Sequence, residues 1–253
     1  MIVLLSPAKT LDESPAGFTK HSTPRMLAES ESLVKVLKKK SARSLKKLMN
    51  VSDQIAELNV ERYQNYHTPF TPDNAKQAIF TFKGDVYQGL NAEELNEEDL
   101  AFAQEHLRIL SGLYGLLRPL DLMQSYRLEM GTKLKKGRKK NLYEFWDNKI
   151  TKLINEDLEQ AKNQVILNLA SKEYFHSVKP GELAGKLVHV HFKENRNGTL
   201  KVISFNAKKA RGSMAHQIIK NRLVEVEPLK NLEVDGYKYN EELSDANNLM
   251  FTK

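Results

Sequence analysis

The sequence predicts an α/β fold: one compact domain over residues 1–253, with a mixed, partly antiparallel sheet surrounded by helices. Three observations predict it. Short apolar runs of strand character are spread from end to end, and amphipathic helical segments alternate with them. Asn197-Gly198, set between two alternating stretches, is a strong two-residue hairpin signal and makes part of the sheet antiparallel. No internal repeat and no Ser/Gly-rich linker divides the chain.

Ile2–Leu5 reads as a buried strand running into a Ser6-Pro7-Ala8-Lys9 loop. Thr23-Pro24 pairs an N-cap with proline at the first helical position, and Met26, Leu27, Leu33, Val34 and Leu37 mark the apolar face that follows. Helices are expected over Ala42–Met49 and from Asp53 to about Tyr66, and Thr71-Pro72 repeats the cap signal ahead of one or two turns. Ala78-Ile79-Phe80-Thr81-Phe82 reads as a strand ending at Lys83-Gly84-Asp85. Asn96 caps a helix with Leu100, Ala103, Leu107 and Leu110 on one face, broken at Ser111-Gly112-Leu113-Tyr114-Gly115, where close packing requires both glycines. Asn141 and Glu144 predict a capping box for a helix continuing through Trp146, Ile150, Leu153 and Leu158. Val165–Leu169 is a strand, Leu187–Lys193 and Thr199–Phe205 are the arms of the hairpin, and a last helix runs from about Ala207 to Leu223 before a polar tail beyond Pro228.

With 40% hydrophobic and 28% charged residues, the composition excludes collagen-like and wholly disordered chains. Cysteine is absent, which excludes disulfides, Cys-ligated clusters, zinc ribbons and thiolate chemistry, and suits a reducing cytosol. The apolar run Met1–Leu5 is stopped by Ser6-Pro7 and lacks the basic flank of a signal peptide. No stretch approaches the roughly 20 apolar residues of a membrane span. A cytoplasmic location without membrane or obligate protein partners is expected.

Lys plus Arg number 39 against 32 Asp plus Glu, a net charge of +7 that points to an anionic partner. The charge is segregated. Lys35–Lys47 holds seven basic residues and no acid, Lys133–Lys140 holds six in eight, and seven more lie between Glu194 and Glu225 without an acid. Any one such run is ordinarily a solvated face; three point to a shared surface for a polyanion.

The sharpest local pattern is the helix junction Leu45–Ala56, which looks like a helix-hairpin-helix over about residues 43–66. The first amides of the second helix lack intrahelical partners, and the positive end of its dipole faces the same way, so a phosphate oxygen is accepted without any base being read. Such hairpins prefer glycine where this chain has Asn50 and Ser52; a serine there can instead cap the helix and compete for those amides. The candidate DNA-binding residues are Arg43, Lys46, Lys47, Asn50, Val51, Ser52 and Asp53, joined on the last helix by Lys208, Lys209 and Arg211. There, Lys208, Arg211 and Arg222 form a basic shoulder beside an apolar stripe of Ala207, Ala210, Met214 and Ile218.

A second group of polar residues marks a candidate cleft: Lys9, Lys83, Asp85, Tyr87, Ser111, Arg118 and Arg127. Lys83-Gly84-Asp85-Val86-Tyr87 offers a base, a proton donor and an anion clamp at a strand end, although a turn with a local Lys–Asp contact accounts for it more readily. No Walker A or Gly-x-Gly-x-x-Gly loop occurs, and no cofactor is expected. His189 and His191 share a face of an expected exposed strand without a third ligand at a recognised spacing, so no metal site is assigned.

Several of these segments are carried together by one family. Ser6-Pro7-Ala8-Lys9-Thr10-Leu11, Phe82–Tyr87, Leu110–Gly115 through Arg118-Pro119-Leu120-Asp121, Tyr126–Met130, Asn168–Ser171 with Glu173-Tyr174, and Ile203–Phe205 followed by Ala207–Gly212 closely resemble the bacterial YaaA family, in order from residue 1 to about residue 240. The resemblance implies a cytosolic protein of the peroxide-stress response that limits free iron and so protects DNA from hydroxyl radicals. It also implies a positively charged cleft, a helix-hairpin-helix falling on Leu48–Ala56, and binding of duplex or distorted DNA largely without sequence specificity. No enzymatic activity comes with it. Two rival expectations stand beside DNA binding: an enzyme acting on a nucleotide or damaged base around Lys83, Asp85, Ser111 and Arg118, and iron sequestration through His189 and His191.

Overall fold

In the computed structural model, which describes residues 1–253, Ile2–Leu5 (β1) is buried at every position because it forms the middle of the main sheet. In chain order there follow Thr10–Leu11 (β2), Leu27–Leu37 (α1), Ala42–Met49 (α2), Asp53–Asn65 (α3), Lys76–Gln77 (β3), Ala78–Thr81 (α4), Phe82–Lys83 (β4), Asp85–Leu90 (α5) and Glu97–His106 (α6). Leu107–Ser111 (β5), Gly115–Leu117 (β6), Leu122–Met123 (β7), Leu142–Trp146 (α7), Lys149–Glu159 (α8), Val165–Asn168 (β8) and Lys172–Phe175 (α9) come next. The chain closes with Lys186–Arg196 (β9), Thr199–Lys201 (β10), Ser204–Lys220 (α10), Glu233–Val234 (β11), Tyr237–Tyr239 (β12) and Asn248–Thr252 (β13).

The main sheet has nine strands, ordered β11-β12-β13-β9-β8-β1-β5-β6 with β10 paired to β9. Strands β5, β1, β8, β9 and β13 run parallel; β6, β10, β11 and β12 are antiparallel to their neighbours, giving the mixed sheet that the sequence predicts. Because the parallel strands share a direction, the segments after Leu5, Ser111 and Asn168 lie along one carboxyl edge, where open α/β sheets place ligands. Asn168 is level with His189, so β9 continues past that edge to Arg196.

A 63-residue apolar cluster fills both sides of the sheet. Trp146, fully buried, donates its Nε1–H to the Gly112 carbonyl at 3.0 Å. Helices α5 and α10 touch backbone to backbone at Gly89 and Gly212: a Cβ on Gly212 would lie 1.7 Å from the Val86 carbonyl oxygen. Gly112 and Gly115 meet their predicted role, with a Cβ at 112 only 2.1 Å from the Leu128 carbonyl oxygen and φ of +69° at 115. No helix is long and apolar enough to cross a membrane.

Several local expectations are corrected. Ala78–Thr81 is a helical turn, not a strand; only Phe82–Lys83 is extended, pairing with β2. Leu107 and Leu110 belong to fully buried β5, because an apolar run covered on both faces carries no helical period. The first helix starts at Leu27, three residues after Pro24, and Thr71-Pro72 opens a single turn in which Ala75 N–H reaches the Thr71 carbonyl. Asn141 caps α7 by accepting from Glu144 N–H, but Glu144 answers to Lys140 N–H, so the box is half made; Asp147, with φ of +48°, then separates α7 from α8. The hairpin arm stops at Lys201, Phe205 lies on α10, and α10 ends at Lys220. Residues beyond Pro228 form three strands; β13 slots against β9 with Leu249 and Phe251 buried.

Candidate functional site

The α2–α3 junction is built by its own short polar residues. Ser41 Oγ accepts the Ser44 amide at α2's start, and Asn50 ends α2 in the left-handed conformation with φ of +51°. Ser52 Oγ then caps α3 by accepting from Ile55 N–H at 3.3 Å. Half-buried Val51 packs on the core and holds the turn, while Asn50, Ser52, Asp53 and Gln54 are exposed. With the Ile55 amide taken, those of Asp53 and Gln54 head the helix toward solvent. Arg43, Lys46, Lys47, Asn50, Val51 and Asp53 line one surface depression here. It holds three cations and one acid, and the acid is engaged: Lys46 Nζ lies 2.7 Å from Asp53 Oδ2.

The basic segments fold unequally. Lys136, from the run 133–140, donates to the Ser32 carbonyl on α1, one turn from Lys35, so the first two segments adjoin. Lys38 donates to the Tyr66 carbonyl beyond α3. In the third segment, Arg196 pairs with Glu194, Lys208 with Asp85 at 3.9 Å, and Lys220 and Arg222 both with Asp99. The predicted shoulder therefore loses Arg222, which lies beyond α10 with φ of +52°, whereas the stripe Ala207, Ala210, Met214 and Ile218 is buried as expected. Lys209 is exposed. Arg211 is largely desolvated, which lowers its pKa, and its Nε is buried without a hydrogen-bond partner.

The seven cleft residues separate into three places. Lys9 and Arg127 converge on Glu129 Oε1, at 3.5 and 3.0 Å, over the carboxyl edge; Glu129 Oε2 is buried and unpartnered. Beside them Tyr87 donates to the Ser6 carbonyl at 3.2 Å, and the Ser111 and Tyr126 hydroxyls share a 2.6 Å hydrogen bond with both residues buried. Burial raises the pKa of Tyr87 and Tyr126, so both phenols stay protonated at neutral pH. Lys83 reaches instead to Asp12 at 3.1 Å, and Asp85 to Lys208. Arg118 is apart from all of them: its guanidinium binds Asp121 at 2.9 Å and the Thr23 carbonyl, which anchors a loop.

Asp12 and Glu129 were not among the sequence candidates, although each organises the cations around it. The signal for Asp12 is its spacing to Ser14, whose amide it accepts at 2.9 Å; Glu129 sits inside the Tyr126–Met130 motif, and only folding brings Lys9 to it. His189 and His191 are half-buried rather than exposed, engaged with Asn168 and Asn248, and no third His, Asp or Glu joins them in a metal-holding group.

A family model described as peroxide stress protein YaaA matches residues 1–243. The chain belongs to the YaaA peroxide stress protein family. A UPF0246 protein of Alteromonas mediterranea is 52% identical to it over 254 residues, covering 100% of this chain and 98% of that protein. A role in the response to peroxide stress follows for the family's members. Most of the motifs that carry the resemblance lie at the carboxyl edge and on α5 and α10, whereas Arg118–Asp121 follows antiparallel β6 and lies toward the opposite edge.

Proposed function

We propose that this chain is a cytoplasmic DNA-binding protein of peroxide stress, holding the sugar–phosphate backbone at the α2–α3 junction as a helix-hairpin-helix and limiting iron-dependent damage to what it covers. One observation carries the reading: the capped, exposed start of α3 stands beside Arg43, Lys46 and Lys47 in one depression. Two open amides and a helix dipole suit a phosphate oxygen, and the cations neutralise its neighbours. None of these groups reads a base edge, so affinity is set by charge and not by sequence.

Four contacts are expected on this reading, from Arg43, Lys47, the amide pair and exposed Lys39 at the end of α1. A chain of 253 residues has a radius of gyration of about 18 Å, hence a diameter of roughly 45 Å, which spans about 13 base pairs and accommodates that number. Reversing two charges, Arg43→Glu with Lys47→Glu, is expected to weaken binding to a labelled duplex at least about tenfold at ~0.1 M salt. Unchanged affinity in fluorescence anisotropy would remove the junction from the interface.

A further inference from the structure

The loop after β2 forms a strap, Asp12–Phe18, with a cavity on each side of it. The cavity toward α5 has a volume of about 540 Å³, within the range of small-molecule sites. Four of its lining residues are aromatic, half-buried Phe18 and Phe80 at the surface and buried Phe82 and Tyr87 behind them. Phe18 of the strap meets Phe80 with ring centres 6.2 Å apart, and Phe82 meets Tyr87 at 5.3 Å. Gln88 and Asn91 on the same lining supply carboxamides, each with paired donor and acceptor atoms.

The rim carries the ionic groups. Lys83 and Lys76 both point at a single carboxylate, Asp12, at 3.1 and 3.6 Å. Asp12 belongs to the strap and also accepts from the Ser14 hydroxyl and amide. Those two bonds and Lys83 hold its carboxyl well below the usual range, so it is an anion at every physiological pH. Gly84, next to Lys83, has φ of +150°, a conformation that L side chains rarely adopt, and this lets the chain turn sharply from the rim into α5. The strap's own carboxylate thus occupies the place between two lysines that a ligand anion would take.

We propose that this cavity is a mononucleotide site: a nucleobase lies against the aromatic walls, and its phosphate displaces Asp12 from Lys83. Flat heteroaromatic bases stack on such rings regardless of sequence, and the carboxamides meet the polar edge of the base. The ligand has two sources, a free nucleotide or one turned out of a DNA strand, and the chemistry at the cavity is the same for both. The site stands on the strap and α5 and does not depend on the α2–α3 junction, so duplex affinity and mononucleotide affinity fail separately.

The test is calorimetric titration of the full chain with AMP, GMP, CMP and UMP, with inorganic phosphate and ribose 5-phosphate as controls. A second arm follows the fluorescence of a single extrahelical 2-aminopurine in a duplex. At least one mononucleotide is expected to bind one-to-one and more tightly than either control. Lys83→Ala, at a side chain 62% exposed and therefore safe for folding, weakens it about tenfold, and Asp12→Asn, which removes the competing charge, tightens it. Quenching of 2-aminopurine that Lys83→Ala abolishes assigns the nucleotide to DNA; binding of free nucleotide alone assigns it to solution. Neither signal up to millimolar ligand, or binding indifferent to both substitutions, overturns the proposal.

Discussion

Asp53→Asn is expected to tighten DNA binding, against the usual result of altering a binding surface. Asp53 is the first residue of α3, with its side chain 74% exposed, and it sets a negative charge where a phosphate would approach the helix start. Its Oδ2 also holds Lys46 Nζ at 2.7 Å, so one of the three cations in the depression is half neutralised. The substitution removes one repulsion and releases one cation to a phosphate. Each freed contact adds about −0.9 to the slope of log affinity against log salt. Two surface charge effects of this size together raise affinity roughly three- to tenfold at ~0.1 M salt. The helix loses an acidic residue from its first turn, worth about 0.3–1 kcal/mol, which is too little to unfold a domain of ordinary stability. Anisotropy titrations of a labelled duplex from about 50 to 200 mM salt measure both quantities. Weaker binding, or the same affinity with the same slope, refutes the assignment of the α3 start to phosphate.

Three stability predictions rest on other parts of the fold. Asp157 on α8 is 9% exposed and accepts from Arg25 and from Arg108 of β5 at 2.7 and 2.6 Å; Asp157→Asn strands two guanidinium groups, costing about 3–5 kcal/mol and lowering the melting temperature by roughly 10 °C in calorimetry. Gly212→Ala drives a methyl into the α5 backbone and is expected to lower the melting temperature by several degrees, while Gly198→Ala, whose Cβ meets nothing, is strained only by its φ of +79°. Asp99 titrates at about 2, since hydrogen bonds from Lys220 and Arg222 outweigh the burial that opposes ionisation; Glu194 also titrates at about 2, led by the hydrogen bond from Asn206. Both values are depressed, so the stability they contribute is complete above their unfolded values of 3.8 and 4.5 and is lost as pH falls through about 2. Urea midpoints constant between pH 5 and about pH 2 would contradict this.

What the sequence made legible was local. The end of α2 at Met49 and the start of α3 at Asp53 are legible because Asn50 and Ser52 are chemically suited to a left-handed turn and a cap. The Asn197-Gly198 hairpin was equally plain for the same reason. The sequence of β5 continues the helical spacing of Leu100 and Ala103, but the segment is a strand buried at every position, where no polar face marks a period. Strand β13 was invisible in a polar tail because its three apolar residues gain strand character only by lying beside β9. Among the site residues, those of the α2–α3 junction are neighbours in the chain and could be grouped by spacing. The pairing of Lys9 with Glu129, or of Lys83 and Lys76 with Asp12, joins distant segments, and nothing in the chain order announces it.

The dependence of duplex affinity on salt tests the central claim most directly. Three cationic phosphate contacts beside the neutral amide pair require a log–log slope of roughly −3 for the unmodified chain, shallower by about two for the protein carrying Arg43→Gln and Lys47→Gln. A slope near zero, or one that those two substitutions leave unaltered, would contradict backbone binding at the start of α3.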